Sequence, residues 1–274
     1  LSLQGNGIGE RGMTALADAF GSGAAPNLKA LNLGGSMIGD AGAGALARAL
    51  AGGGLTKLEE LNLGLALTGR FANSEIGDGP GMVALGEALS RNVSMLRILN
   101  LHSTACGDAV AAGIGKLLMR PESALTELDL HRNCIGDEGY AAIATGLAEG
   151  TETLTSLDLS SNRCGPAGAI ALAGAFKTPG AAKLPEVTLG NMGDVAKEFG
   201  PGNKVGDAGA EAIAGALARN DCNLCASPPS IPRRCPKFVL ALTRTSAQPR
   251  PAPATHRREY PTVKALKDTI HNAY

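Results

Sequence analysis

Two histidines, a serine and two aspartates recur at one spacing in this chain. His102, His131 and Ser160 stand 29 residues apart, and Asp129 and Asp158 each precede His131 and Ser160 by two. Ser, His and Asp within mutual reach could act as nucleophile, base and orienting acid. Two His with two Asp offer a donor set for a zinc-type ion. Either chemistry requires a fold that brings residues 29 apart onto neighbouring positions. A triad also needs an oxyanion hole and a cavity that excludes water, and a flat sheet supplies neither. No catalytic, metal or cofactor role is therefore expected. The row is expected to serve as a polar binding patch, with Arg132 beside it.

The element that could align such residues is a repeat. The fragment L-x-x-L-x-L-x-x-N-x-I-G-D-x-G runs in degenerate copies from the first residue to about Gly209. Its second strand leucine falls at Leu3, Leu33, Leu63, Leu101, Leu130, Leu159 and Leu189, at intervals of 30, 30, 38, 29, 29 and 30 residues. A fixed period of this length means stacked supersecondary units, none of which can bury its apolar face alone. The alternating leucines predict parallel strands near 29–33, 59–63, 97–101, 126–130, 155–159 and 185–189. Each is followed by a turn and an Ala/Leu-rich amphipathic helix. Asp40, Asp78, Asp108, Asp137 and Asp207 stand where they could cap the helices that follow them, and Pro166 takes that place in the sixth unit. Asn6, Asn133, Asn162 and Asn203 share a turn position filled elsewhere by Ser36, Ser74 and Thr104. A buried amide or hydroxyl there would satisfy backbone groups rather than do chemistry. Cys106 and Cys164 replace Ile38 and Ile135 and read as small buried hydrophobes.

The period, the leucine strand and the I-G-D-x-G turn resemble the ribonuclease-inhibitor class of leucine-rich repeat. That class also takes in the repeats of Ran GTPase-activating proteins and NOD-like receptors. The resemblance covers about residues 1–217. It implies an α/β solenoid, a horseshoe with a concave parallel sheet and convex α-helices. The matching residues are structural, so no ligand-contacting residue is carried over. The resemblance implies a protein-interaction scaffold that is not an enzyme. Its alternative is a GTPase-activating protein for a small GTPase of the Ran type.

On the concave face two rows can be read by register. One holds Asn32, Asn62, Asn100, Asp129, Asp158 and Thr188, and the other Ala30, Glu60, Ile98, Glu127, Ser156 and Glu186. Carboxylates occur in both rows and cations in neither, which suits a partner protein with a basic surface. Two units are overlong, with insertions near 65–75 and 192–202. These carry Phe71 and Phe199, with Arg70 and Lys197 close by. Insertions on a repeat scaffold are common binding loops, and aromatic and Arg residues are frequent binding anchors. The expected partner contacts are His102, Asp129, His131, Arg132 and Asp158, with Glu60, Glu127, Phe71 and Phe199.

Charge and composition exclude other classes. Lys and Arg balance Asp and Glu at 25 each, yet residues 1–217 carry 15 basic against 22 acidic residues and residues 218–274 carry 10 against 3. An acidic repeat body with no Trp and three Tyr lacks the basic, aromatic footprint of a nucleic-acid binder. No apolar run is long enough to span a membrane. The cysteine spacing is not that of a secreted disulfide framework, and a cytoplasmic location is expected. The chain opens inside a repeat, so it reads as a fragment whose targeting signal could have been lost. The repeat domain is expected over 1–224. The Pro/Arg-rich segment 225–274 is expected either to be a disordered basic tail or to arise from an exon error. Cys222, Cys225 and Cys235 have metal-like spacing without a clean fourth ligand.

Overall fold

A computed structural model describes residues 1–65, 78–150, 153–178, 181, 184, 186–191 and 202–218. Phe71, Phe199, most of both insertions, the cysteines beyond Cys164 and the segment 225–274 lie outside the described residues.

The chain alternates helix and strand: α1 (Gly9–Gly21), β1 (Ala30–Asn32), α2 (Gly39–Ala51), β2 (Glu60–Asn62), α3 (Pro80–Asn92), β3 (Ile98–Asn100), α4 (Asp108–Met119), β4 (Glu127–Asp129), α5 (Asp137–Glu149), β5 (Ser156–Asp158), α6 (Pro166–Ala175), β6 (Glu186–Thr188) and α7 (Gly206–Ala218). The six strands form one parallel sheet in sequence order, and Ser2 adds a parallel bridge to Asn32. Each helix packs on the next. This is the α/β solenoid that the leucine spacing implies.

The strands are three residues long, shorter than the five expected. The chain turns early because the second residue after six of the seven strand leucines is left-handed. Gly5, Gly35, Leu65, Ser103, Arg132 and Ser161 take φ between 54° and 70°. That conformation is costly for side chains other than Gly, so the stacked backbone must hold it. It does so by hydrogen bonds from one turn to the next, for example Gly35 N–H to Gly64 O at 2.9 Å and Arg132 N–H to Ser160 O at 2.9 Å.

The core is continuous from unit to unit. Leu31, Leu61, Leu99, Leu128, Leu157 and Val187 fill its strand layer, and Ile38, Cys106, Ile135, Cys164 and Val205 stack at the turn. The cysteines are thus packed as predicted. Behind them the helices approach to backbone contact. A Cβ on Gly113 would sit 2.6 Å from the Gly86 carbonyl oxygen, so the α3–α4 junction closes only around glycine.

The helix caps differ from expectation. Asp40, Asp78, Asp108 and Asp137 do not cap the helices that follow them. Each reaches across to the next unit. Asp40 accepts from Gly81 and Met82 N–H at 2.9 Å each. Asp78 accepts from Gly107 at 3.0 Å and Ala109 at 2.9 Å. Asp108 accepts from Gly136 at 2.6 Å and Gly139 at 3.1 Å. Asp137 accepts from Gly165 at 2.6 Å and Gly168 at 2.9 Å. The physical reason is position: at or just before the start of its own helix, each carboxylate meets the orphan N–H groups that begin the neighbouring helix. Where Pro166 replaces the aspartate, α7 begins instead at Gly206 with φ 65°.

Candidate functional site

The inner rows have the register read from the sequence. Asn32, Asn62, Asn100, Asp129, Asp158 and Thr188 pair in order, as do Ala30, Glu60, Ile98, Glu127, Ser156 and Glu186. Glu60, Glu127 and Glu186 are exposed, and Asp129 and Asp158 are half-buried.

These amides and carboxylates also have a structural task. Each accepts the backbone N–H two residues on: Asn32 from Gly34, Asn62 from Gly64, Asn100 from His102, Asp129 from His131 and Asp158 from Ser160, at 2.8–3.1 Å. An oxygen here closes the turn after its strand.

His102 and His131 sit side by side, two residues beyond the ends of β3 and β4. Their rings stack with centroids 4.7 Å apart and planes 1° from parallel, the spacing that adjacent parallel strands impose. His131 Nδ1 lies 2.7 Å from Asp129 Oδ1. His102 Nδ1 lies 2.7 Å from Asn100 Oδ1 and 4.0 Å from Asp129 Oδ2. The three side chains are between 18% and 30% exposed, within reach of solvent but walled on most sides. A Cβ on Gly64 would run into the His102 ring, so the imidazole occupies space that the glycine leaves open.

Burial, followed by the charge of His131, holds the His102 pKa below its ordinary value, although Asp129 pulls the other way. Burial raises Asp129. The side-chain and backbone hydrogen bonds from His131 outweigh it, and the carboxyl ends below the usual range. At neutral pH the site therefore holds a carboxylate and, at His102, a neutral imidazole.

The triad geometry is not assembled. Ser160 is buried at 2% exposure rather than presented beside His131. The thiols fare no better as nucleophiles: burial pushes Cys106 and Cys164 up to about 12, far from the thiolate form at neutral pH. Cys106, Cys134 and Cys164 form no disulfide. Arg132 is half-buried in the adjoining turn. Glu60 and Glu127 are separated on their row by Ile98.

The shared turn asparagines are structural, as expected. Asn133 donates to Leu101 O and Leu130 O at 2.9 Å each and accepts from Thr104 and Cys106 N–H at 3.0 Å each. Asn162 and Asn203 repeat this one and two units on. Asn6, at the same place in the first unit, is exposed and donates only to Gln4 O at 3.3 Å.

Asn191 was missed. It exchanges two hydrogen bonds with Asn203, at 2.8 and 3.0 Å, and so closes the stem of the second insertion. Tyr140 was missed too; it is fully buried and donates to Leu159 O at 2.7 Å.

The Leucine Rich repeat family matches residues 1–17, 24–47, 124–144, 152–173 and 202–214. With the parallel strand register and the repeated turn bonds, this makes the chain a leucine-rich-repeat protein. No curated protein matches it. Among 54 solved chains that do, the actin-binding site 2 of leiomodin-1 is 22% identical with a TM-score of 0.41, covering 64% of this chain and 86% of that one. Likeness at that level says nothing about what this chain binds. Among the described residues, no helix is long and apolar enough to cross a membrane.

Proposed function

We propose that this chain is a protein-interaction scaffold, and that a partner protein with a basic surface docks on the inner sheet face. The carrying observation is the sign of that face: Glu60, Glu127 and Glu186 are exposed on one row and Asp129 and Asp158 line the next, with no cation on either row. Complementary charge steers encounter and suppresses wrong partners. His102, His131 and Arg132 then supply the polar centre of the contact. Phe71 and Phe199 are proposed as flanking anchors on the two insertions. Period and full-length helices support placing the repeats in the ribonuclease-inhibitor class. Three cysteines without a disulfide support a reducing, cytoplasmic setting.

The test compares the wild-type chain with Glu60→Lys/Glu127→Lys/Glu186→Lys as bait, followed by affinity measurement on the recovered partner. Binding should be lost with the reversed charges and should weaken as salt rises. His131→Ala and Asp158→Ala should each cost about 1 kcal/mol or more of affinity. Equal capture by both baits would refute the acidic docking face. Faster GTP hydrolysis by a small GTPase on addition of the chain would move the reading to a GTPase activator.

A further inference from the structure

We propose that His102, Asp129 and His131 bind one divalent cation of the zinc type, a site distinct in chemistry from the docking face around it. One donor atom from each of these side chains lies within 4.8 Å of the other two. The Asp129 carboxylate stands between the imidazoles, with Oδ1 2.7 Å from one Nδ1 and Oδ2 4.0 Å from the other.

Zinc binds nitrogen at about 2.0–2.1 Å and carboxylate oxygen at about 2.0–2.2 Å. Donors around one ion therefore stand about 3.0–3.5 Å apart. The His102–Asp129 distance must close slightly and the His131–Asp129 distance must open slightly. An imidazole lone pair lies in the ring plane, so the stacked rings must also tilt toward each other. The rings keep 18–24% of their side-chain surface open to solvent, the side toward which they can turn. The backbone needs no change. The N–H of each histidine is already held, by Asn100 Oδ1 at 3.0 Å and by Asp129 Oδ1 at 3.1 Å, within paired strands.

To ligate through Nδ1, His102 must carry its ring proton on Nε2 and give up the 2.7 Å contact with Asn100 Oδ1. The electrostatics agree. Asp158, paired in register with Asp129, adds negative charge nearby. Arg132 is the opposing charge. A set of two imidazoles and one carboxylate favours zinc-like ions over Ca²⁺ or Mg²⁺, which prefer oxygen ligands. Three protein ligands leave a fourth tetrahedral position open, to water or to an incoming side chain.

The site does not depend on the partner reading, because metal affinity is measured on the chain alone. The full chain, stripped with chelator, is titrated with Zn²⁺ by calorimetry and with Co²⁺ by visible absorption. The comparison is His102→Phe/His131→Phe, which keeps two stacked rings and removes their nitrogen donors. Wild type should bind one more equivalent than this variant, with a cobalt spectrum free of thiolate charge-transfer bands. That spectrum separates the site from Cys222, Cys225 and Cys235. Asp129→Asn should weaken binding about tenfold or more, and Mg²⁺ should not compete. Should the double variant fail to fold, His131→Gln alone decides, with the same tenfold loss expected. Equal zinc stoichiometry and affinity in wild type and variant, or a cobalt spectrum of thiolate character alone, overturns the proposal.

Discussion

Asp137 and Asp158 are both aspartates that accept backbone N–H groups, yet they do opposite things for the molecule. Asp137 reaches 28 and 31 residues on, to Gly165 and Gly168, and ties one unit to the next. Asp158 reaches two residues on, to Ser160, and closes only its own turn. The helix-side aspartates are cement between units. On the inner face Asp158 has this one local bond and Asp129 adds the imidazoles of His131 and His102, and both carboxylates are only half-buried. Residue type therefore does not separate structure from function in this repeat. The range of the hydrogen bond does.

The largest effect should come from the layer beneath both groups. Leu130 is fully buried, and Leu130→Ala should cost about 2–5 kcal/mol, read by chemical denaturation. Asn133→Ala should follow. It leaves the N–H groups of Thr104 and Cys106 and the carbonyls of Leu101 and Leu130 without their amide partner. A loss of about 1–3 kcal/mol is expected, and a near-neutral result would mean that water replaces the amide freely.

The aspartates themselves come next. Asp137→Ala should cost about 0.5–2 kcal/mol, the usual value of a helix cap, and should raise hydrogen exchange at the start of α6. Asp158→Ala should cost less, about 0.5–1.5 kcal/mol for one local bond, with exchange changed only near Ser160. If both variants loosened the neighbouring unit equally, the contrast drawn above would collapse.

The smallest effects should show at the glycines. A Cβ on Gly165 would meet Asp137 Oδ2 at 2.7 Å, whereas Gly174, exposed in the last turn of α6, has nothing within 4 Å. Gly174→Ala should stabilise by about 0.5–1 kcal/mol through helix propensity. Gly165→Ala should lower the thermal midpoint by displacing the Asp137 carboxylate. A gain at both positions would show that the capping contact is slack.

The sequence by itself determined the repeat, the leucine core, the two inner rows and their register. Each of these follows from a fixed period and the alternation of a strand, and neither needs knowledge of what lies next door. It placed His102 beside His131 for the same reason. Tertiary structure decided which groups those rows touch. The period told that Asp108 and Asp137 recur at one place, but not that the place faces the N-terminus of the following helix. It told that Asp129 lies on the inner face, but not that its two oxygens are divided between a turn and two imidazoles. It gave no reason to join Asn191 to Asn203 across an insertion. A side-chain hydrogen bond forms only within about 3 Å, and at that range the outcome depends on how closely one unit stacks on the next.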